Sequence, residues 1–198
     1  RLFAKGYKTI IASSEQNPDI EYDYLAMLMA NQVDGIISGS HNLGIKEYQR
    51  IKEPIVSFDR YLADNIPIVS ADSYRGGQMA AEYLISKNVK HPAVLIDEDT
   101  SVSPTLNRVQ GAVDCFAAHR IEYVPLDAKK TDLQATFPGK YDGVVATNDV
   151  DALKIIHLAV RAGKQINKNF HVTGYDGSKM IRELSPELPT VQQPTAAL

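Results

Sequence analysis

The chain has 198 residues, 44% of them hydrophobic, and a formal net charge of -3. A chain of this length and composition can bury a hydrophobic core, in one large domain or two small lobes. Its net charge is slightly negative, so the chain as a whole lacks the excess of basic residues that is typical of nucleic-acid binding. No apolar run approaches the roughly 20 residues that cross a membrane, and the lone cysteine, Cys115, excludes an intrachain disulfide framework. The chain opens like the end of one helix and closes like the start of another, so we expect it to be cut from a longer protein.

Short apolar runs alternate with amphipathic segments from the first residues onward. In the first part of the chain, strands are predicted at residues 7–12, 33–38, 54–59 and 66–71, and helices at residues 20–32 and 44–51. Further on, helices are predicted at 74–87, 104–120, 150–162 and 178–184, and strands at 91–96, 121–125, 141–147 and 170–176. Residues 97–103 are predicted to form a loop, and residues 127–140 a loop with a short helix. This alternation predicts an α/β fold with doubly wound parallel sheets. Val33-Asp34-Gly35 and Tyr141-Asp142-Gly143 open two similar strands, which favours two similar lobes.

Several kinds of chemistry are missing from the chain. It has no phosphate-binding G-x-x-x-x-G-K-[ST] loop, no G-x-G-x-x-G, no G-x-S-x-G elbow and no H-E-x-x-H. The five histidines never fall four residues apart, and Asp97-Glu98-Asp99 is typical of a solvated loop more than of a cation site. We therefore predict no catalytic residue, no metal site and no cofactor.

Polar residues instead collect where predicted strands end or helices begin. Phe170 to Thr173 carry an apolar strand into Gly174-Tyr175-Asp176-Gly177, which holds a carboxylate at the strand's end. Other polar residues in comparable positions are Asp59, Arg108, Asn148 and Asp149. Each of them alone is equally well explained as a helix cap or a turn residue. Together, at the carboxyl edge of parallel sheets, they favour a site that holds the hydroxyls of a sugar.

Six segments, which follow one another across nearly the whole chain, are Val56-Ser57-Phe58-Asp59-Arg60, Val69-Ser70-Ala71-Asp72-Ser73-Tyr74-Arg75-Gly76-Gly77, Asn107-Arg108-Val109-Gln110-Gly111, Ala146-Thr147-Asn148-Asp149, Val172-Thr173-Gly174-Tyr175-Asp176-Gly177 and Leu188-Pro189-Thr190-Val191-Gln192-Gln193-Pro194. Taken together and in this order, they resemble the effector-binding core of the lactose-repressor family of bacterial transcription regulators, which is related to periplasmic sugar-binding proteins. Among its members, the sequence is most similar to repressors of sugar operons, of the sucrose type. Pro189 and Ser73 depart from the usual Thr and Asn of the family.

The resemblance implies two similar lobes with a ligand cleft between them, joined by crossovers near residues 70–73 and 191–194. Residues 1–71 plus 193–198 would form an incomplete first lobe, and residues 72–192 the second. Arg108, Asn148 and Asp176 would bind the effector from the second lobe and Asp59 from the first. Two further residues at first-lobe strand ends would face the same cleft, namely Ser13 and Ser40.

By the same resemblance, the effector is a small sugar or sugar phosphate, and the parent protein is a cytoplasmic homodimer that controls a carbohydrate-utilisation operon. Operator DNA would be bound through a headpiece absent from this chain, and no membrane partner is implied. Two alternatives stay open: a periplasmic or lipoprotein sugar receptor of a transporter, and an enzyme on the same scaffold.

Overall fold

The computed structural model describes residues 2–40, 42, 44–96, 106–127 and 141–197. The chain divides into two compact units, Arg1–Val69 and Ser70–Leu198, which we call unit 1 and unit 2. The loop predicted at 97–103, the start of the helix predicted at 104–120 and nearly all of the segment 127–140 lie outside the described residues. Among the described residues, none of the helices combines the length and the apolar character that a bilayer crossing requires.

Unit 1 is a small parallel α/β layer. Its elements are a 3₁₀ helix at Phe3–Lys5, α1 (Pro18–Ala30), β1 (Ile36–Ser38), a 3₁₀ helix at Lys46–Arg50, β2 (Ile55–Phe58) and β3 (Ile68–Val69). The strands pair in parallel in the order β1-β2-β3. Helix α1 begins at Pro18 because the Asn17 side chain accepts hydrogen bonds from the backbone N–H groups of Asp19 and Ile20. The unit's core includes Leu25 on α1 and Tyr48.

The strand predicted at residues 7–12 is wrong. This segment has no strand assignment, and Ile10 and Ile11 are 59% and 91% exposed. A strand exists only where a neighbour pairs with its backbone groups, and within the described part of the chain β1 pairs with β2 alone. An apolar run indicates a tendency to be buried, but it does not supply the partner.

Unit 2 contains a larger parallel sheet. Its elements are α2 (Ser73–Ser86), β4 (Pro92–Ile96), α3 (Leu106–Ala118), β5 (Val124–Asp127), β6 (Gly143–Val145), α4 (Asp149–Arg161), β7 (His171–Asp176), α5 (Lys179–Leu184) and β8 (Thr190–Gln192). The sheet order is β5-β4-β6-β7-β8, and neighbouring strands pair in parallel. The predicted doubly wound α/β fold is confirmed here. Strand β8 is not among the predicted strands, because the resemblance implies a crossover at residues 191–194.

Both faces of this sheet are covered by helices. Successive residues of β4 point to opposite faces: Val94 packs in a cluster with residues of α2 and α3, whereas Ala93 and Leu95 pack in a cluster with residues of α4. This arrangement leaves the carboxyl ends of β6 and β7, with the first turns of α3 and α4, as the polar edge of the unit.

The observed units can be compared with the predicted lobes. Unit 2 begins at Ser70, close to the predicted boundary after residue 71. By contacts, residues 193–197 fall within unit 2; their membership of the first lobe, like the lobe boundaries as a whole, stays a prediction.

Candidate functional site

Arg108 and Asp176 meet at the polar edge of unit 2. Arg108 lies in the first turn of α3 and is only 7% exposed. Its Nη1 lies 3.6 Å from the Asp176 Oδ1 atom and donates a hydrogen bond of 3.0 Å to the Thr147 carbonyl oxygen. The guanidinium carbon stands 3.8 Å from the centroid of the Tyr175 ring. The ring, the carbonyl and the carboxylate together fix the orientation of the guanidinium group.

Asp176 ends β7 in an unusual backbone conformation. Its φ angle is +108°, a region that residues with a Cβ rarely adopt. Its Oδ1 accepts a 2.9 Å hydrogen bond from the Gln193 Nε2 atom, and its side chain is 40% exposed. Strained backbone that the surrounding structure maintains is typical of binding sites. The carboxylate therefore combines a fixed position with access from solvent.

Asn148 and Asp149 form the start of α4. The Asn148 Oδ1 atom accepts a 2.8 Å hydrogen bond from the Asp151 backbone N–H, so the residue is the helix N-cap. Its Nδ2 also donates to an Asp151 carboxylate oxygen at 2.8 Å. An asparagine side chain has two N–H groups and two lone pairs, so the cap leaves half of this capacity for a ligand.

Asp149 has a structural function. It is 3% exposed; its Oδ2 accepts a 2.9 Å hydrogen bond from the Gly177 N–H, and its Oδ1 accepts one from the Thr190 hydroxyl. One buried carboxylate thus ties the start of α4 to β8 and to the residue that follows Asp176. Asp149 stabilises the backbone on which Asp176 is displayed.

In unit 1, Asp59 follows β2 directly. It is 8% exposed, has a positive φ of 56°, and its backbone N–H donates a 2.9 Å hydrogen bond to the Val69 carbonyl oxygen. Asp59 thus occupies the position that the sequence predicts, at the carboxyl end of a parallel strand.

A separate cavity in unit 1, with a volume of about 500 Å³, is lined by both predicted serines, Ser13 and Ser40. Asp59 is not among its lining residues. Glu21 of α1 also lines this cavity and is only 5% exposed. Its Oε2 accepts hydrogen bonds from Ser40 Oγ at 2.5 Å and from Asn42 Nδ2 at 2.6 Å.

Tyr48 completes this group of polar side chains. Its hydroxyl donates to the Glu21 Oε1 atom and lies 2.8 Å from the Ser38 Oγ atom. Burial, together with the hydrogen bond to the Glu21 carboxylate, raises the pKa of Tyr48 well above its usual value. The tyrosine therefore stays a neutral donor.

The structure brings some predicted residues together and leaves others apart. Arg108 contacts Asp176, and it binds the carbonyl of the residue before Asn148; Ser13 and Ser40 share a cavity within unit 1. Sequence reasoning missed Glu21, because a glutamate in the first turn of a helix normally faces solvent. It also missed Tyr175, although an aromatic residue directly before a strand-end carboxylate is a signal that could have been used.

The family model for periplasmic binding proteins and the sugar binding domain of the LacI family matches residues 1–197. The chain belongs to this family. The predicted resemblance to the lactose-repressor family is thereby confirmed.

Two curated members of the LacI family illustrate the similarity. The sucrose operon repressor of Streptococcus mutans is 41% identical over 198 residues, which cover 98% of this chain and 62% of the repressor. The ribose operon repressor of Bacillus subtilis is 29% identical, over 98% of this chain and 61% of the repressor. The chain thus spans less than two thirds of the length of these relatives.

Solved structures agree with the fold. The periplasmic binding protein/LacI transcriptional regulator of Alkaliphilus metalliredigens QYMF, complexed with D-xylulofuranose, superposes with a TM-score of 0.83 at 27% identity, covering 99% of this chain and 76% of that one. A LacI family regulator of Enterococcus faecium with bound ribose gives a TM-score of 0.81 at 22% identity, covering 98% and 75%. At that identity, the second match bears on the fold alone.

Proposed function

We propose that this chain is the effector-binding core of a bacterial transcription regulator that controls a carbohydrate-utilisation operon. Its effector is a small sugar, and each unit contributes polar side chains to binding. Unit 2 contributes Arg108, Asn148 and Asp176, and unit 1 contributes Asp59, Ser13 and Ser40.

The observation that carries this proposal is the arrangement of Arg108 and Asp176. A carboxylate accepts hydrogen bonds from neighbouring hydroxyls, and a guanidinium group donates a rigid fork of them. Here both groups are oriented by their surroundings, and the carboxylate keeps its access to solvent. Such preorganised groups can hold a polar ligand with little further loss of side-chain entropy.

The relatives support the same class of function. Repressors of a sucrose operon and of a ribose operon are similar to this chain over nearly its whole length. The Alkaliphilus metalliredigens regulator, which was solved with D-xylulofuranose, is similar in fold and in sequence. These names favour a sugar-responsive regulator over the sugar receptor of a transporter.

Regulation requires the ligand to favour one arrangement of the two units over another. A ligand shifts such an equilibrium only by its differential affinity for the two states, and a shift from 1:99 to 99:1 needs roughly 5.5 kcal/mol. A sugar that contacts several side chains in each unit can supply a preference of that size. Binding of operator DNA in the cytoplasm, as a homodimer, is proposed for the whole protein and not for these residues.

Calorimetric titration of the chain with sucrose, ribose and D-xylulose tests the site. The variant Asp176→Asn keeps the shape of the side chain but removes its charge, and Glu183→Gln, on the exposed face of α5, is the matched control. Loss of a hydrogen bond to a charged group should weaken binding of the best sugar about 10- to 100-fold in Asp176→Asn. Equal affinities of wild type and Asp176→Asn would overturn the site, and no binding of any sugar would overturn the function.

A further inference from the structure

The charged residues that line the cavity of unit 1, among those that the structure describes, are all acidic. The acidic side chains Glu15 and Glu21 line it, and none of its lining residues within the described part of the chain is Lys, Arg or His. Four serines contribute to the same lining, namely Ser13, Ser14, Ser38 and Ser40. Its volume of about 500 Å³ lies in the range of roughly 300–1,000 Å³ that small-molecule sites occupy.

The negative charge at the base of this cavity is fixed in place. Glu21 is 5% exposed, and Ser14, Ser40, Asn42 and Tyr48 all place hydrogen-bond donors on its two oxygen atoms. Because every partner donates, the ionised form of the carboxyl group satisfies all of these contacts. The group cannot turn away from an incoming anion without leaving those donors unpaired.

The same contacts organise the segment after β1. Ser40 donates to Glu21 and accepts a 3.0 Å hydrogen bond from the Asn42 backbone N–H, while its own backbone N–H donates to Ser38 Oγ at 3.3 Å. Glu21 therefore holds in place three hydroxyl groups that line this cavity, those of Ser14, Ser40 and Tyr48. A hydroxyl group can both donate and accept hydrogen bonds, which suits a neutral polyhydroxyl compound.

We propose that Glu21 is the specificity-determining residue of the unit 1 cavity: it positions the hydroxyl groups of Ser14 and Ser40 for an uncharged, hydroxyl-bearing part of the effector and repels a phosphate ester. The effector is then a neutral sugar and not a sugar phosphate. This inference rests on the proposed function and narrows its ligand class. The physical basis is electrostatic repulsion between the Glu21 carboxylate and the phosphate group of an ester, across a contact that is partly dehydrated. This repulsion lowers the affinity for the ester and leaves that for the neutral sugar unaffected.

The test compares neutral sugars with their own phosphate esters by calorimetry: ribose with ribose 5-phosphate, fructose with fructose 6-phosphate, and glucose with glucose 6-phosphate, beside sucrose. The wild-type chain should bind the best neutral sugar at least about tenfold more tightly than its ester, because the ester brings a like charge towards Glu21. The ratio of these two affinities tests the proposal in the wild-type chain, without any variant.

The variant Glu21→Gln tests whether the charge of Glu21 causes this ratio of affinities between the neutral sugar and its ester. It keeps the size of the side chain and removes its charge, so the neutral sugar should bind less tightly while the ratio of the two affinities falls at least about fivefold. Asp23→Asn is the matched control, because it makes the same change of charge two residues away on the exposed side of α1. We expect the control to keep the wild-type ratio.

The outcomes separate this proposal from the function on which it rests. A wild-type chain that binds an ester as tightly as the neutral sugar, or more tightly, overturns the inference while leaving sugar sensing intact. Equal weakening of both ligands by Glu21→Gln also overturns it, because a purely structural role predicts that result. Binding of neither ligand class to the wild-type chain would overturn the proposed function itself.

Discussion

Replacement of Gly77 by alanine tests how closely α2 and α3 approach each other. An ideal Cβ atom at Gly77 would lie 1.9 Å from the carbonyl oxygen of Arg108 and 3.0 Å from the backbone nitrogen of Ala112. Ordinary contacts of a Cβ atom begin near 3.4 Å. The two helices would have to separate by about 1.5 Å, the difference between 3.4 and 1.9 Å, and the obstructing atoms are backbone that cannot rotate aside.

Two effects of opposite sign then compete in the free energy of unfolding. Alanine is the better helix former, which stabilises the variant by about 0.5–1 kcal/mol. Overpacking of a close-packed contact costs about 1–3 kcal/mol and sometimes more. Since the required displacement is large and falls on backbone, overpacking wins, and we expect Gly77→Ala to lower the unfolding free energy of unit 2 by about 1–2 kcal/mol.

Thermal and denaturant unfolding followed by circular dichroism measure this loss. The expected fall in Tm is about 2–4 °C for each kcal/mol, and Ser86→Ala, near the exposed end of α2, serves as the control with little change. Because the displaced carbonyl belongs to Arg108, Gly77→Ala should also weaken sugar binding. A rise in stability would refute the close contact, because helix propensity alone predicts that sign.

Three further predictions concern single side chains. Arg108→Lys keeps the charge but loses the planar group that stacks on an aromatic ring, so sugar affinity measured by calorimetry should fall at least about tenfold. Arg75 forms an exposed ion pair, and Arg75→Lys is the control. An equal fall in affinity in the control would contradict a specific role of Arg108. Asp149→Asn turns one buried acceptor into a donor facing Thr190 or a backbone N–H, and should lower the unfolding free energy by about 1–3 kcal/mol in denaturant titrations; an unchanged midpoint would argue against this network. Folding raises the pKa of Tyr48, so the stability that this residue confers is fully present below its unfolded pKa of about 10 and is lost as the pH rises above that value. Tyr48→Phe should therefore reduce the fall in unfolding free energy that denaturant titrations measure between pH 8 and 11. An identical dependence of unfolding free energy on pH in both proteins would exclude Tyr48 as the source of the fall.

Much of the fold follows from local patterns in the sequence. Periodicity placed α2 within one residue of its observed bounds, Ser73–Ser86, because its apolar face repeats at helical spacing. The strand predicted at residues 7–12 failed because composition cannot show whether a pairing partner is present. Strand β8 was missed for a related reason: Thr190–Gln192 is short and only partly buried, so its existence depends on β7 beside it.

The residues of the candidate site differ in the same way: some could be predicted from local sequence, and others are placed by tertiary packing. Asp176 and Asp59 were predictable, because a carboxylate at the end of a parallel strand has few other positions to occupy. Glu21 was not, since its burial depends on Ser40, Asn42 and Tyr48, which lie 19 to 27 residues further along the chain. Contacts over such separations are set by tertiary packing and leave no local pattern.

A crystal structure of the chain grown with its tightest-binding sugar shows directly whether Asp176 and Arg108 bind the effector. We expect a sugar with one hydroxyl within about 3 Å of the Asp176 carboxylate and another within about 3 Å of the Arg108 guanidinium group. A well-ordered sugar that touches neither side chain would contradict it.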